Sequence, residues 1–580
     1  MQESGGKGIN MSKLTEFTKG YRHQCVLGPL FKLLEALFEL FVPMVVADMI
    51  DSGIMRNDMG YIVKSALLMG VLSLAGLAFS VTAQYFAASA SVNICARMRH
   101  ALFEKIGTFS HVTLNEMGAS TLITRLTSDM NQVQSGINIG LRLLLRSPFV
   151  VFGAIIMAFR IDPKSAMIFV YVTIALFVVV YAVILICIRL YRDVQVKLDR
   201  VTGLTRENLT GTRVLRAFRK EKDEQRSFDE ANTALMKIQL FTGRISSVMN
   251  PVTFALINTA TMFLIYFGGV RAESGVITTG ALIALYNYMA QILVELVKLA
   301  NLSINIAKSI ACAKRINAVL DTDGAMREGD TKVIPDDDTA VEFDDVTFTY
   351  PGAADSAVTG ITFRAGKGET VGIIGGTGSG KSSVVNLIPR FYDVTSGKIR
   401  IFGRDITDYS LDALRMAMGI VPQKAVLFSG TVRENILWGN SGASDEDIMR
   451  AAETAQAVDV INAKGGLDGV IEAKGANLSG GQRQRLTIAR ALVRRPRILI
   501  LDDSASALDM ATDARLRKAL AELDFKPTVF IVSQRVASIM GADRIIVMDD
   551  GVISDMGSHE ELLERCGLYR EIYEMQTGGT

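Results

Sequence analysis

The run Gly375-Gly376-Thr377-Gly378-Ser379-Gly380-Lys381-Ser382 has the residue types and spacing of a phosphate cradle. Its glycines let backbone N–H groups come close to phosphate oxygens, and Lys381 can reach the β- and γ-phosphates of a nucleotide. The Ser382 hydroxyl suits a Mg2+ ion bridging those phosphates, and Ser383 opens a helix whose amino end adds favourable polarity. Further on, Ile498-Leu499-Ile500-Leu501 ends in Asp502, the kind of oxygen ligand a hard cation takes, usually through water. The chemistry these residues predict is ATP binding and cleavage with Mg2+.

Such residues must be held by strands and a helix. Val371-Gly372-Ile373-Ile374 reads as a buried strand running straight into the glycine loop, and a helix can start at Ser383. After about residue 341, strand-like runs alternate with helical ones, the pattern of an α/β domain. Before it, residues 321–340 turn to Asp, Gly, Thr and Pro, with Pro335-Asp336-Asp337-Asp338, and apolar periodicity stops. The domains expected are therefore a tail over 1–22, a first domain over 23–320, a linker over 321–340 and an α/β domain over 341–580.

The first domain carries the apolar excess of a chain of 580 residues that is 49% hydrophobic, with a mean hydropathy of +0.28. Residues 65–92, 166–188, 245–270 and 276–294 each run without a charged side chain. A helix needs roughly 20 such residues to cross a bilayer core. Residues 136–159 make another span, with Arg142 and Arg146 in its first half, and residues 27–47 the first, with Lys32, Glu35 and Glu39. Six transmembrane helices are expected. The connections near 51–58, 161–164 and 271–275 are short, whereas Arg97, Arg99, Lys105 and Arg125 follow the second span and ten Lys and Arg between 189 and 222 follow the fourth. That bias puts both chain ends and the α/β domain in the cytoplasm, with the membrane helices continuing beyond the bilayer. Residues 1–10 read as a polar tail with no cleavable signal, and Ser12–Arg22 could lie along the inner interface as an amphipathic helix.

Net charge is +2 and no basic, aromatic-interleaved surface is evident, so no nucleic-acid partner is expected. The five cysteines are far apart, which gives neither a zinc spacing nor a disulfide framework. Lys32, Glu35 and Glu39 share one helix face. They either pair with one another or recognise a cationic or amphipathic substrate. Arg142 and Arg146 read as a cytoplasmic helix extension or an interfacial anchor.

Beyond these residues the chain resembles the ATP-binding-cassette (ABC) exporters, specifically half-transporters with six membrane helices fused to one cassette. The resemblance covers nearly the whole chain. Leu478-Ser479-Gly480-Gly481-Gln482 resembles the family signature, which completes a nucleotide site on an opposing cassette. The resemblance implies that Gln423 contacts Mg2+, that Tyr350 stacks on adenine, and that Ser506-Ala507-Leu508-Asp509 communicates between cassettes. In the first domain, residues 118–129 and 207–214 resemble cytoplasmic loops that press on the cassettes. Short coupling helices are expected there near 114–117 and 206–211.

Two positions depart from the family pattern. The residue after the Mg2+ carboxylate is normally Glu, and here it is Asp503. The switch position after the strand at 528–532 is normally His, and here it is Gln534. A carboxylate one methylene short and an uncharged amide, at the two positions closest to the γ-phosphate, imply a site that holds ATP and rarely cleaves it. The intact signature then implies a heterodimer, in which a second, unlike half-transporter supplies the competent Glu and His, as in bacterial multidrug exporters with one degenerate site. The expected cargo is a small amphipathic molecule, a lipid or a peptide. The alternatives are a homodimeric lipid flippase or peptide exporter, or a nucleotide-gated regulator or channel with little ATPase activity.

Overall fold

The computed structural model describes residues 16–578; of the amphipathic helix expected over 12–22, residues 12–15 lie outside the described residues, and the rest is not one helix, since residues 18–21 form a turn before the helix that starts at Arg22. The chain divides into two compact units. One comprises the chain up to Gly107 together with Ala119–Thr322, and the other Thr108–Gly118 together with the chain from Asp323 onward.

The first unit is all helical. In chain order, with one short helix of the other unit at the third place, the helices are α1 (Arg22–Asp48), α2 (Met59–Gly107), α3 (His111–Met117), α4 (Ala119–Thr124), α5 (Met130–Leu143), α6 (Arg146–Ile161), α7 (Pro163–Thr210), α8 (Thr212–Ala217), α9 (Glu221–Glu273) and α10 (Thr279–Asp321). Among the described residues five stretches are long and apolar enough to cross a membrane: Met59–Gly107, Ala119–Ile161, Pro163–Thr210, Glu221–Glu273 and Thr279–Leu299. The sixth expected span, α1, is not among them because of its charged residues. It nevertheless packs with them, its Ala36 and Leu40 buried in one core with Val150, Leu264 and Tyr288. Tyr288 also donates a hydrogen bond to the Leu40 carbonyl at 2.6 Å. At 1.5 Å per residue the 49 residues of α2 span about 74 Å, more than twice a hydrocarbon core of about 30 Å. The helices therefore extend well outside the bilayer, as their charged halves predict.

Buried charges tie the unit together. Arg146 is not the interfacial anchor its sequence position suggests. It is 7% exposed and pairs with Glu295 of α10 at 2.5 Å and with Glu39 of α1 at 2.6 Å. Glu295 also accepts from Ser147 at 2.7 Å and from Lys298 at 2.9 Å. These partners lie more than a hundred residues from Arg146 along the chain, beyond the reach of a local reading. Lys32 pairs with Glu35, as one of the two sequence readings has it. At the connection before α7, Asp162 caps the helix by accepting from the Ser165 amide at 2.9 Å, and it holds Arg271 at 2.7 Å. That contact joins two of the short loops, at 161–164 and 271–275.

The two short cytoplasmic helices differ from their expected bounds. Helix α3 starts earlier, because Ser110 caps it by accepting from the Thr113 amide, and it stops where Gly118 takes a φ of 73°. The second is not at 206–211. There α7 runs on to Thr210, Gly211 leaves helical geometry, and α8 follows downstream. None of the α8 residues is buried, and Leu209, Val214 and Phe218 are exposed.

In the second unit a six-stranded sheet has the order β12-β11-β3-β10-β9-β6. Its strands are β3 (Thr370–Gly375), β6 (Met418–Val421), β9 (Ile498–Asp502), β10 (Thr528–Val532), β11 (Arg544–Asp549) and β12 (Val552–Gly557), all parallel except β12. Strands β9 and β10 are buried at every residue, which is why they read as unbroken apolar runs. An antiparallel sheet, β2-β1-β4-β5, contains β1 (Thr339–Phe348), β2 (Val358–Gly366), β4 (Ser396–Ile401) and β5 (Arg404–Asp405), and β7 (Gly430–Thr431) pairs with β8 (Val470–Ile471) in a separate ribbon.

Helix α3 belongs to this unit. The Ser110 amide donates to the Gly324 carbonyl at 2.7 Å, and the His111 ring lies 4.7 Å from that of Phe391. Burial and the nearby Arg415 guanidinium push the His111 pKa below its ordinary 6.5. As pH falls, the unfolded chain takes up this proton before the folded one does. The stability is fully present above the unfolded value and is lost as pH falls through the lower, folded one. Thermal unfolding followed from about pH 7.5 to about pH 5.5 should show a falling midpoint, and His111→Gln should flatten that slope. An unchanged slope in the variant would assign the effect elsewhere.

Candidate nucleotide site

Three adjacent strands set the site. The glycine loop leaves the carboxyl end of β3, Gln534 follows the end of neighbouring β10, and Asp502 ends β9 beside it. In open α/β sheets this carboxyl edge is where ligands bind. Within the loop Gly380 has a φ of 89°, and a Cβ there would lie 2.7 Å from the Ala357 carbonyl oxygen, so the position requires glycine. The helix Lys381–Leu387 begins immediately after it.

Of the residues expected to hold the nucleotide, Tyr350, Thr377, Gly378, Gly380, Lys381, Ser382, Ser383, Gln423, Asp503 and Gln534 line one cavity of about 320 Å3. Gly375, Gly376 and Ser379 stand behind it, and Lys381 folds back on them. Its Nζ donates to the Gly375 carbonyl at 3.0 Å, to the Gly376 carbonyl at 2.5 Å and to Ser379 Oγ at 3.3 Å. Ser382 Oγ donates to Asp502 at 2.9 Å, and Gln423 Nε2 donates to Asp503 at 3.3 Å. Tyr350 is braced by Phe348 and Tyr392, with its hydroxyl 3.1 Å from Ser383 Oγ. Ala357 and Val532 also line the cavity. Sequence reasoning missed both, since neither carries a polar side chain or a motif.

The electrostatics fit a Mg2+–polyphosphate. Burial lowers the pKa of Lys381, and the neighbouring Asp503 and Asp502 only partly offset this. Burial also raises that of Asp502, helped by Asp503 and opposed by the Ser382 hydrogen bond. Each group thus has its charged form disfavoured by the protein alone. A polyanion beside Lys381 and a divalent cation beside Asp502 would restore both charges. Ser382, Gln423 and Asp502 are the residues that would hold the cation, which supplies charge neutralisation between the β- and γ-phosphates. Among the described residues there is no cluster of three or more His, Cys, Asp or Glu that could hold a metal, and Asp502 is the carboxylate in the set named here.

The remaining expected residues lie off the cavity. Ser479 caps the helix Gly480–Leu492 in a reciprocal pair, with Ser479 Oγ accepting from the Gln482 amide and Gln482 Oε1 from the Ser479 amide at 2.9 Å. A Cβ at Gly480 would meet nothing within 4 Å, whereas one at Gly481 would lie 2.9 Å from the Ala507 carbonyl oxygen. The space beside Gly480 is therefore open. Asp509 caps the helix Met510–Ala521, accepting from the Thr512 amide at 2.9 Å. Asp503 sits in the left-handed region, with a φ of 46°.

The sequence matches two family profiles, one described as the ABC transporter transmembrane region, over residues 25–296, and one as ABC transporter, over residues 358–506. It is 36% identical to an uncharacterized ABC transporter ATP-binding protein of Bacillus subtilis (strain 168), over 98% of this chain and 99% of that one. Identity is also 36% to an uncharacterized ABC transporter ATP-binding protein of Mycobacterium tuberculosis (strain ATCC 25618 / H37Rv), over 98% of each chain. With the ATP-dependent lipid A-core flippase of Escherichia coli (strain K12) it shares 31% identity over 94% of each chain.

Proposed function

Since this chain belongs to the ABC transporters, as an exporter-type half-transporter with an ATPase cassette on the cytoplasmic side of the cell membrane, we propose that it pairs with a second, unlike half-transporter. The pair would move amphipathic small molecules, lipids or peptides out of the cytoplasm or the inner leaflet. The observation that carries this reading is the placement of Asp503 and Gln534 on the wall of the nucleotide cavity while the Ser479–Gln482 segment stands intact and off it.

In this reading the chain's own cavity takes ATP between Tyr350 and Lys381 and cleaves it slowly. Its signature helix end closes over the nucleotide held by the partner, where a Glu and a His do the cleaving. ATP at both sites favours closed cassettes, because each nucleotide then gains contacts from both chains. The exposed Leu209, Val214 and Phe218 around α8 support a two-chain assembly, since apolar side chains at the tip of a charged loop suit a partner surface. Hydrolysis at the partner's site releases the clamp, and the slower site keeps its ATP for longer.

A second reading, a homodimeric lipid flippase, is favoured by the flippase relatives. ATPase measurement separates the two. Under the heterodimer reading the chain purified alone turns over slowly, and copurification with a half-transporter bearing Glu and His restores turnover. Mutating the partner's Glu then abolishes activity, whereas Asp503→Asn has little effect. Rapid turnover by the chain alone, lost on Asp503→Asn, would instead support the homodimer.

A further inference from the structure

The loop that carries Gln534 is held in place from outside the nucleotide cavity. The Gln534 carbonyl accepts a hydrogen bond from Gln576 Nε2 at 2.6 Å, and the Val536 amide donates to Gln576 Oε1 at 2.8 Å. A carbonyl and an amide two residues apart are the pair that one residue of a parallel strand would engage. One side-chain amide thus extends the strand pattern past the end of β10.

Gln576 lies in the last turn of the helix Gly567–Thr577, which is anchored by the fully buried Tyr569, with Ile572 and Tyr573 packed on the same core. On its other side the loop is tied to the segment that follows Asp503. Arg535 donates to the carbonyls of Ala505 at 3.4 Å and Leu508 at 3.3 Å, and Ser538 donates to Asp513 at 3.0 Å. Removing the Gln576 amide would free the loop on one side only, at Gln534, a residue that lines the cavity.

We propose that Gln576 is a positioning residue for the terminal-phosphate end of the site. It fixes the backbone on both sides of Arg535 so that Gln534 faces the γ-phosphate, and it thereby sets the preference for ATP over ADP. The proposal rests on the reading that this cavity takes ATP, and not on how fast the chain cleaves it.

The test uses the full-length protein in detergent, titrated separately with a non-hydrolysable ATP analogue and with ADP, in the presence of Mg2+. Gln576→Leu, which keeps bulk and loses both hydrogen bonds, should weaken the ATP analogue about fivefold. ADP affinity and the unfolding midpoint without nucleotide should stay unchanged. Gln576→Glu keeps an acceptor and loses the donor, and should fall between the two. Equal weakening of both nucleotides with a lowered midpoint would reduce Gln576 to a helix-docking contact and overturn the proposal. Unchanged affinity for the ATP analogue in both variants would overturn it too. Binding by the unmodified chain, measured in the same titrations, separates these outcomes from a failure of the ATP reading itself.

Discussion

Exchanging Asp503 for glutamate and Gln534 for histidine together should raise ATP turnover at this chain's own site by about 100-fold. The aspartate carboxylate ends roughly 1.5 Å short of where a glutamate carboxylate would reach, the length of one carbon–carbon bond. It is also engaged by Gln423 Nε2, so the group at 503 is oriented but set back. Glutamine at 534 can hydrogen-bond a phosphate oxygen but carries no positive charge towards it. ATP affinity should barely change, because Lys381, Ser382 and Tyr350 are untouched. Phosphate release by the purified chain and by the doubly exchanged variant is the measurement. Equal rates would mean that the two positions do not limit cleavage, and the asymmetric reading would lose its basis.

Truncation of Glu295 to alanine should cost about 3–5 kcal/mol of stability, the usual penalty for breaking a buried ion pair by removing one partner. Glu295 is 3% exposed and is the shared acceptor of Arg146, Ser147 and Lys298. Without it the Arg146 guanidinium keeps Glu39, and Ser147 loses the acceptor it has here. Glu39→Ala should cost much less, because that side chain is 41% exposed and Arg146 would retain Glu295. Thermal unfolding of the full-length protein in detergent compares the two variants. Equal losses would show that the network is evenly shared rather than centred on Glu295.

Much of the nucleotide cavity was legible in the sequence because its contacts are local. A strand, a glycine turn and a helix start follow one another within about a dozen residues, and the Asp502 strand is unbroken apolar chain. The bundle was legible in outline for a similar reason, since a bilayer imposes length and composition on each span. What escaped notice depends on long-range partners. Arg146 finds carboxylates on α1 and α10, and its own helix gives no hint of either. Gln576 bonds a loop some forty residues earlier through a neutral side chain with no periodicity or motif to mark it. The displacement of the second short helix to Thr212–Ala217 turned on Gly211, whose exit from helical geometry the surrounding propensities do not announce.

The assignment of α3 to the second compact unit has a mechanical consequence. Residues 108–118 are packed with the cassette, yet they join the end of α2 directly to the start of α4. Any rotation of the cassette must therefore drag two helix ends with it, as a handle moves a shaft. On a rod as long as the 49-residue α2, about 74 Å, a swing of about 5° carries the far tip about 6 Å, so stiffness alone can turn small pivots into large strokes.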